Sequence, residues 1–180
     1  MEYNKQMGSK IVMGLGNPGS DYDNTYHNVG KMALEAWLAK NPEPIAFRRH
    51  GDLFEYAKSD DRIFVRPLVF MNESGLAARE ALKTFSAEPT DLLVLHDESD
   101  MELGTWRLSF GGSSAGHKGI QSIIDHLHSD QFYRGRIGIR DPHEEKRKKA
   151  GDFVLGAMTP DHKSVLQDVF PGLIAEAEAA

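Results

Sequence analysis

The chain contains no cysteine. No disulfide can staple it, no thiolate can hold zinc, and cysteine nucleophiles or redox pairs are excluded. That absence fits a reducing compartment. Long apolar runs are missing too: nothing approaches the ~18 consecutive apolar residues of a membrane span. Met1–Ser9 is polar and lacks the apolar core of a secretory signal. The expected location is the cytoplasm. Met1–Ser9 is expected to be a flexible leader to a single domain over residues 10–180. Positive charge is also scarce, with 21 Lys and Arg against 27 Asp and Glu, a net −6. An acidic total argues against a nucleic-acid partner, which usually meets a basic surface.

The total hides an uneven distribution. Arg134 to Lys149 holds seven basic side chains and three acidic ones, a local +4 that leaves −10 for the remainder. The basic residues are Arg134, Arg136, Arg140, Lys146, Arg147, Lys148 and Lys149. A solvated lysine-rich loop and a phosphate-binding patch both fit that run. Otherwise the composition is globular, 40% hydrophobic and 27% charged over 180 residues. A single domain of that length buries roughly 70% of its unfolded surface.

Periodicity sets out alternating elements. Lys10–Leu15 reads as a short buried strand, and 28–40 places Val29, Met32, Ala33, Ala36 and Trp37 at helical spacing. Asp52–Lys58 and Arg62–Pro67 read as a hairpin. Asn72-Glu73-Ser74 is expected to cap a helix that runs to about Phe85. Asp91–His96 is a continuously apolar buried strand, and Gly104–Phe110 and Arg136–Arg140 read as two more. Between them a helix spans about Gly116–Leu127. A last helix starts at Pro160, and Pro171-Gly172 is expected to interrupt it. The alternation predicts an α/β domain, and the hairpin makes its sheet mixed.

Two literal motif matches point to different chemistries. Gly14-Leu15-Gly16-Asn17-Pro18-Gly19 matches the dinucleotide fingerprint. That fingerprint needs a helix to open at the third glycine, so that amides face a pyrophosphate. Here Pro18 removes an amide and the helix begins about nine residues later. Gly112-Ser113-Ser114-Ala115-Gly116 matches a nucleophile elbow with Ser114 as nucleophile. Its acid and histidine would have to come from Asp125, Asp141, His143 or His162, none of which sits in a supporting motif. A metal on His96, Asp97 and Asp100 lacks any recognised ligand spacing.

A third constellation is dispersed and polar: Asn17, Tyr22, His27-Asn28, Asn72, His96-Asp97 and His117-Lys118. Each lies at a strand end or a helix start, and in an open α/β sheet those ends converge on one crevice. Singly, each has a structural explanation as a turn residue, a cap or a loop acid.

These residues sit in motifs that resemble the bacterial-type peptidyl-tRNA hydrolase family. The motifs are VMGLGNPGSDYDNTYHNVG (12–30), RPLVFMNESG (66–75), LVLHDESDMELG (93–104), FGGSSAGHKGIQSII (110–124) and FYRGRIGIRDP (132–142), with DFVLGAM (152–158) following. They occur in the family's order and cover about residues 10–170. The resemblance implies a single α/β domain with a mixed, twisted sheet sandwiched between helices. It implies hydrolysis of the ester joining a peptide to the 3′-terminal ribose of tRNA, which frees the tRNA for translation. No cofactor and no metal are implied. The partner would be peptidyl-tRNA, met through its acceptor stem and 3′ end by a monomer. His27 matches the catalytic histidine and Asp97 the acid that orients it. Asn17 and Asn72 match substrate-positioning amides, Tyr22 the tyrosine near the tRNA 3′ end, and Asn28 and His117 further crevice residues. Free histidine has a pKa near ~6.5, so neutral imidazole is available at pH 7 to activate water.

Two positions depart from the family pattern. Tyr26 replaces the usual Arg of T-R-H-N, and Lys118 replaces the Asn of G-H-N-G. Lysine donates hydrogen bonds but accepts none, so Lys118 can hold a phosphate or an oxyanion but cannot accept from an attacking water. The tRNA phosphates are expected on Lys118, Arg136, Arg140, Lys146, Arg147, Lys148 and Lys149, with Arg48 and Arg49 as weaker candidates. A non-catalytic RNA-binding relative of the same fold is the alternative that Lys118 and Tyr26 keep open.

Overall fold

A computed structural model describes residues 10–59, 62–143 and 149–179. Leader residues Met1–Ser9, and Lys146, Arg147 and Lys148 of the basic run, lie outside the described residues.

Among the described residues, seven strands form one sheet: β1 (Ile11–Gly14), β2 (Arg48–His50), β3 (Phe54–Lys58), β4 (Ile63–Pro67), β5 (Leu92–Glu102), β6 (Trp106–Phe110) and β7 (Tyr133–Arg140). Their order is β2-β3-β4-β1-β5-β7-β6. The four inner strands β4, β1, β5 and β7 run parallel. Antiparallel pairs complete both edges. Parallel strands must be covered on both faces, and the apolar runs of β1 and β5 fit that. Val12, Leu93 and Leu95 pack on one side, while Ile11, Met13, Leu92 and Val94 pack on the other.

Four helices supply the covers: α1 (Val29–Leu38), α2 (Ser74–Thr84), α3 (Lys118–Leu127) and α4 (Pro160–Ala179). Helices α1 and α4 close the first face, and α2 and α3 close the second. Gly30 lets α1 lie against β5, since a Cβ there would strike the Leu95 carbonyl oxygen. Gly75 does the same between α2 and α3, where the obstacle is the Ser122 carbonyl. Strand β1 sends the chain to the α1 face, whereas β4 leads to α2 and β5, through β6, to α3. Loops therefore part around the carboxyl end of β1 and leave a crevice there.

Four local expectations change. Helix α4 runs unbroken through Pro171. Its buried stripe of Leu166, Val169, Phe170, Leu173 and Ile174 continues across the proline, and this packing outweighs one missing amide donor. Gly172 is where Trp106 lies against the helix, with ring carbons 2.7 Å from where a Cβ would sit. The Trp106 indole N–H donates to Glu176 at 2.8 Å. Second, Ser74 does not cap α2; its hydroxyl donates to the Met71 carbonyl at 2.8 Å, and the first-turn N–H of Gly75 is instead taken by the Ser122 hydroxyl of α3 at 3.0 Å. Third, β2 is an added three-residue edge strand, too short and polar to leave a period-two signal. Finally, β5 continues past His96 to Glu102, with a register shift between Glu98 and Glu102.

Candidate active site

The crevice is a cleft of about 600 Å³ lined by the loops after β1 and β4, the end of β5, the start of α3 and the 150–155 stretch. Asn17, Tyr22, His27, Asn72, Asp97, His117 and Lys118 all line it. Asn28 does not. It is fully buried, and its amide is spent on the Asn17 backbone, accepting from Asn17 N–H at 2.8 Å and donating to Asn17 C=O at 3.0 Å. It shapes the loop and lies outside the lining of the cleft.

Those two bonds hold the loop after β1 in place. The Asn17 side-chain oxygen then accepts from the Met71 N–H at 2.8 Å. A backbone N–H can only donate, so the amide orientation is fixed and the NH2 remains for a substrate. This bond also ties the loop after β1 to the loop after β4, which presents Asn72, an exposed residue of the cleft wall.

At the cleft floor, Oδ1 of Asp97 receives two imidazoles, His27 Nδ1 at 2.9 Å and His117 Nε2 at 2.8 Å. Burial of Asp97 opposes its charge, but the two rings that donate to it, His117 foremost, outweigh burial and hold the carboxyl well below the usual carboxylate range. As a carboxylate it can only accept, so His27 carries its proton on Nδ1, and the neutral ring keeps its lone pair on Nε2. His117 differs. Its Nδ1 accepts from the N–H groups of Gly119 at 3.1 Å and Ile120 at 3.2 Å, capping α3. That occupies one nitrogen as an acceptor and leaves the other as the donor to Asp97. His117 is thereby a fixed neutral donor with no lone pair for a substrate proton, while His27 has one.

Side-chain atoms of His27, Asp97 and His117 lie within 4.8 Å of one another, a spacing that suits a metal. The bonding pattern opposes one. Both facing nitrogens carry protons directed at the carboxylate, and moving the His117 proton to Nδ1 would set it against two N–H donors. His96, weighed above as a ligand with Asp97 and Asp100, is buried, and its Nδ1 faces the Asp97 carbonyl at 2.7 Å. Burial, with His117 nearby, pushes its pKa well below the ordinary value, so it stays neutral.

The other motif readings find no support in the geometry. Ser114 donates its hydroxyl to Gln121 at 2.7 Å and has no imidazole partner among the described residues. After Gly19 the chain makes only a short turn, Ser20–Tyr22, and no helix opens on a phosphate site. In the basic patch, Arg136 pairs with Glu98 at 2.9 Å and Arg140 donates to the Ser99 carbonyl at 2.6 Å. Lys149 is exposed. Lys118 is exposed at the cleft without a counter-ion among the described residues.

Phe70 and Leu155, 49% and 54% exposed, also line the cleft, and the sequence reading missed both. Phe70 meets Tyr22 edge-on, ring centroids 6.1 Å apart. In sequence it ends the apolar run PLVF and looks like core, and nothing in one chain marks Leu155 as exposed.

Comparison with known proteins decides which chemistry this arrangement belongs to. The sequence profile of the family described as "Peptidyl-tRNA hydrolase" matches residues 11–180. The chain belongs to the peptidyl-tRNA hydrolase family. A peptidyl-tRNA hydrolase of Lactobacillus gasseri is 42% identical over 163 residues, spanning 89% of this chain and 86% of the relative. One from Prochlorococcus marinus is 40% identical over 176 residues, spanning 91% and 84%. The crystal structure of the Acinetobacter baumannii peptidyl-tRNA hydrolase superposes with a TM-score of 0.85 at 28% identity, covering 97% of this chain and 89% of that one. The α/β fold is therefore the peptidyl-tRNA hydrolase fold. Membership favours an esterase acting on peptidyl-tRNA over a non-catalytic binding relative. Among the described residues no helix is long and apolar enough to cross a membrane.

Proposed function

We propose that this chain hydrolyses the ester between a peptide and the 3′-terminal ribose of tRNA, with His27 as general base. The observation that carries the reading is the Asp97–His27 bond of 2.9 Å, which leaves the Nε2 lone pair available in a cleft between two amide donors. Water gives a proton to His27 Nε2 and adds to the ester carbonyl. Asp97 supports the imidazolium that forms. Amide NH2 groups of Asn17 and Asn72 hold the peptide and ribose ends and donate towards the developing oxyanion. Collapse of the tetrahedral intermediate breaks the C–O bond, and the proton on His27 passes to the departing ribose oxygen. Products are a peptide carboxylate and free tRNA. An alkoxide leaves more readily than an amine, so a general base suffices without a covalent nucleophile.

Tyr22 meets the tRNA 3′ end, and the Lys118 ammonium holds a phosphate or the oxyanion where relatives carry Asn. His117 acts through Asp97, as the second donor that fixes the carboxylate. Arg136, Arg140 and Lys146 to Lys149 form a path for the acceptor-stem phosphates, read by backbone and shape. The protein works as a monomer in the cytoplasm, where its substrate arises. The test is hydrolysis of a defined peptidyl-tRNA by wild type, His27→Ala, Ser114→Ala and Lys118→Asn. Turnover is expected in wild type and Ser114→Ala and is lost in His27→Ala. Full activity in His27→Ala, or tight tRNA binding with no wild-type turnover, refutes the reading.

A further inference from the structure

Tyr26 stands one residue before the histidine assigned as base, within the short turn Tyr26–Asn28. Its hydroxyl oxygen lies 2.6 Å from Nδ1 of His162, in the first turn of α4. The far nitrogen of His162 lies 3.7 Å from a carboxylate oxygen of Asp141, the residue that follows β7. Burial and the nearby Asp141 charge raise the Tyr26 pKa, so the phenol keeps its proton and donates to Nδ1, while the other ring nitrogen faces Asp141. The Tyr26 ring also packs edge-on against Phe153 and His162, with centroids 6.0 Å away in each case. Three chain segments, the base-carrying turn, the end of β7 and the start of α4, thus meet at one tyrosine.

The same turn is laced to a wall of the cleft by backbone bonds. His27 N–H donates to the Val154 carbonyl at 2.8 Å, and Met158 N–H to the Asn24 carbonyl at 2.8 Å. Thr25 and Ala157 form an antiparallel bridge. Ala150, Gly151, Val154 and Leu155 of that stretch line the cleft, and the Arg140 guanidinium lies over the Phe153 ring, 5.5 Å from its centroid. Backbone bonds set the spacing of turn and wall. Among the described residues, two side-chain contacts anchor the pair to α4 without touching Asp97 or the cleft: Tyr26 to His162, and the Lys163 ammonium, which donates to the Asn24 side-chain oxygen at 2.7 Å.

We propose that Tyr26 and His162 are positioning residues for this reaction: their hydrogen bond, with Asp141 facing the far nitrogen of His162, fixes the Ala150–Leu155 wall and the turn that carries His27. The proposal rests on the ester-hydrolase reading of the cleft. It assigns a role to Tyr26, a departure from the family pattern, and to a histidine outside the cleft.

The experiment measures kcat and KM for a peptidyl-tRNA in wild type, Tyr26→Phe, His162→Leu, the double variant and His162→Asn. Amide hydrogen exchange at His27 is followed in parallel. A lost neutral hydrogen bond corresponds to about 3- to 10-fold in an equilibrium. Each single variant should raise KM by about that factor and leave kcat within about threefold, because the Asp97–His27 bond is untouched. The double variant should be no worse than either single, since both remove the same contact. Asn at 162 keeps an acceptor near the Nδ1 position and should restore KM. Exchange at His27 should quicken in Tyr26→Phe and not in His162→Asn. Partial unfolding alone would lower apparent kcat and leave KM unchanged, and that result overturns the proposal. Multiplying effects in the double variant, or unaltered His27 exchange, overturn it as well. If wild type fails to turn over, the hydrolase reading falls, while the exchange data still decide the contact.

Discussion

At the scale of the residue, the site assigns different roles to similar side chains through hydrogen bonds. His27 and His117 donate to the same Asp97 oxygen, yet only His27 retains a usable lone pair, because the start of α3 consumes the other nitrogen of His117. General-base catalysis is worth ~10²–10⁴-fold, so His27→Ala should lower kcat by about that range with little change in substrate affinity, read by single-turnover assay. His96 supplies a stability prediction. Its folded pKa is depressed below the ordinary 6.5, so the unfolded chain takes up a proton that the folded chain refuses. The His96 contribution is complete above about pH 6.5 and drains away as pH falls towards the folded value, at about 1 kcal/mol per pH unit. His96→Asn keeps a donor for the Asp97 carbonyl and carries no titrating group. Its urea unfolding free energy should fall less between pH 7 and pH 5.5 than that of wild type, and parallel declines would refute the assignment. Sequence alone gave the identities of these residues but not their tautomers, which depend on where the Gly119 and Ile120 amides point. It also grouped Asn28 with the ligands, because a buried amide and an exposed one look alike in a string of letters.

At the scale of the element, legibility follows periodicity. Strands β1 and β5 announce themselves as apolar runs and α1 and α3 as amphipathic stretches, since burial on one or both faces is written into every few residues. The edge strand β2 and the outer half of β5 are held by backbone pairing and carry mostly polar side chains, which leaves no such trace. Pro171 misleads for the opposite reason: a local breaker is overruled by a long apolar stripe against the sheet. Close approaches of backbone are legible only as glycines whose neighbour is unknown. Gly75 is the instructive case, because α2 follows Asn72 and α3 is capped by His117, so their spacing is also the spacing of two cleft residues. Gly75→Ala places a methyl against the Ser122 carbonyl, and overpacking of this kind costs about 1–3 kcal/mol. The expected result is a lower urea midpoint at unchanged m-value, accompanied by a raised KM. A variant with wild-type midpoint and KM would show that the helices yield without moving the site.

At the scale of the whole molecule, convergence comes from topology. Residues 17, 27, 72, 97 and 117 meet because β4 and β5 flank β1 and send their chains away from it, an arrangement that ordered motifs suggest and only strand order establishes. Charge is likewise a global quantity with local exceptions. A net −6 disfavours indiscriminate RNA coating, so tRNA affinity must come from few phosphate contacts and should fall as salt rises, by about 0.7–0.9 in log K per contact and decade of salt. The structure divides the candidate cations into two kinds. Lys149 is exposed and has no counter-ion among the described residues, so Lys149→Gln should weaken binding at low salt, reduce the slope by about one, and matter little at high salt. Arg136 is paired with Glu98, which is nearly buried. Arg136→Gln strips the cation from that carboxylate and leaves an uncompensated negative charge in the lining of the cleft itself. Its binding should therefore drop at every salt concentration, with a smaller change of slope. Titrating fluorescent tRNA against each variant from 50 mM to 300 mM salt, about a Debye length of 14 Å down to 6 Å, separates the two patterns, and identical salt plots for Lys149→Gln and Arg136→Gln would show that the Glu98 pair does not set how Arg136 meets RNA.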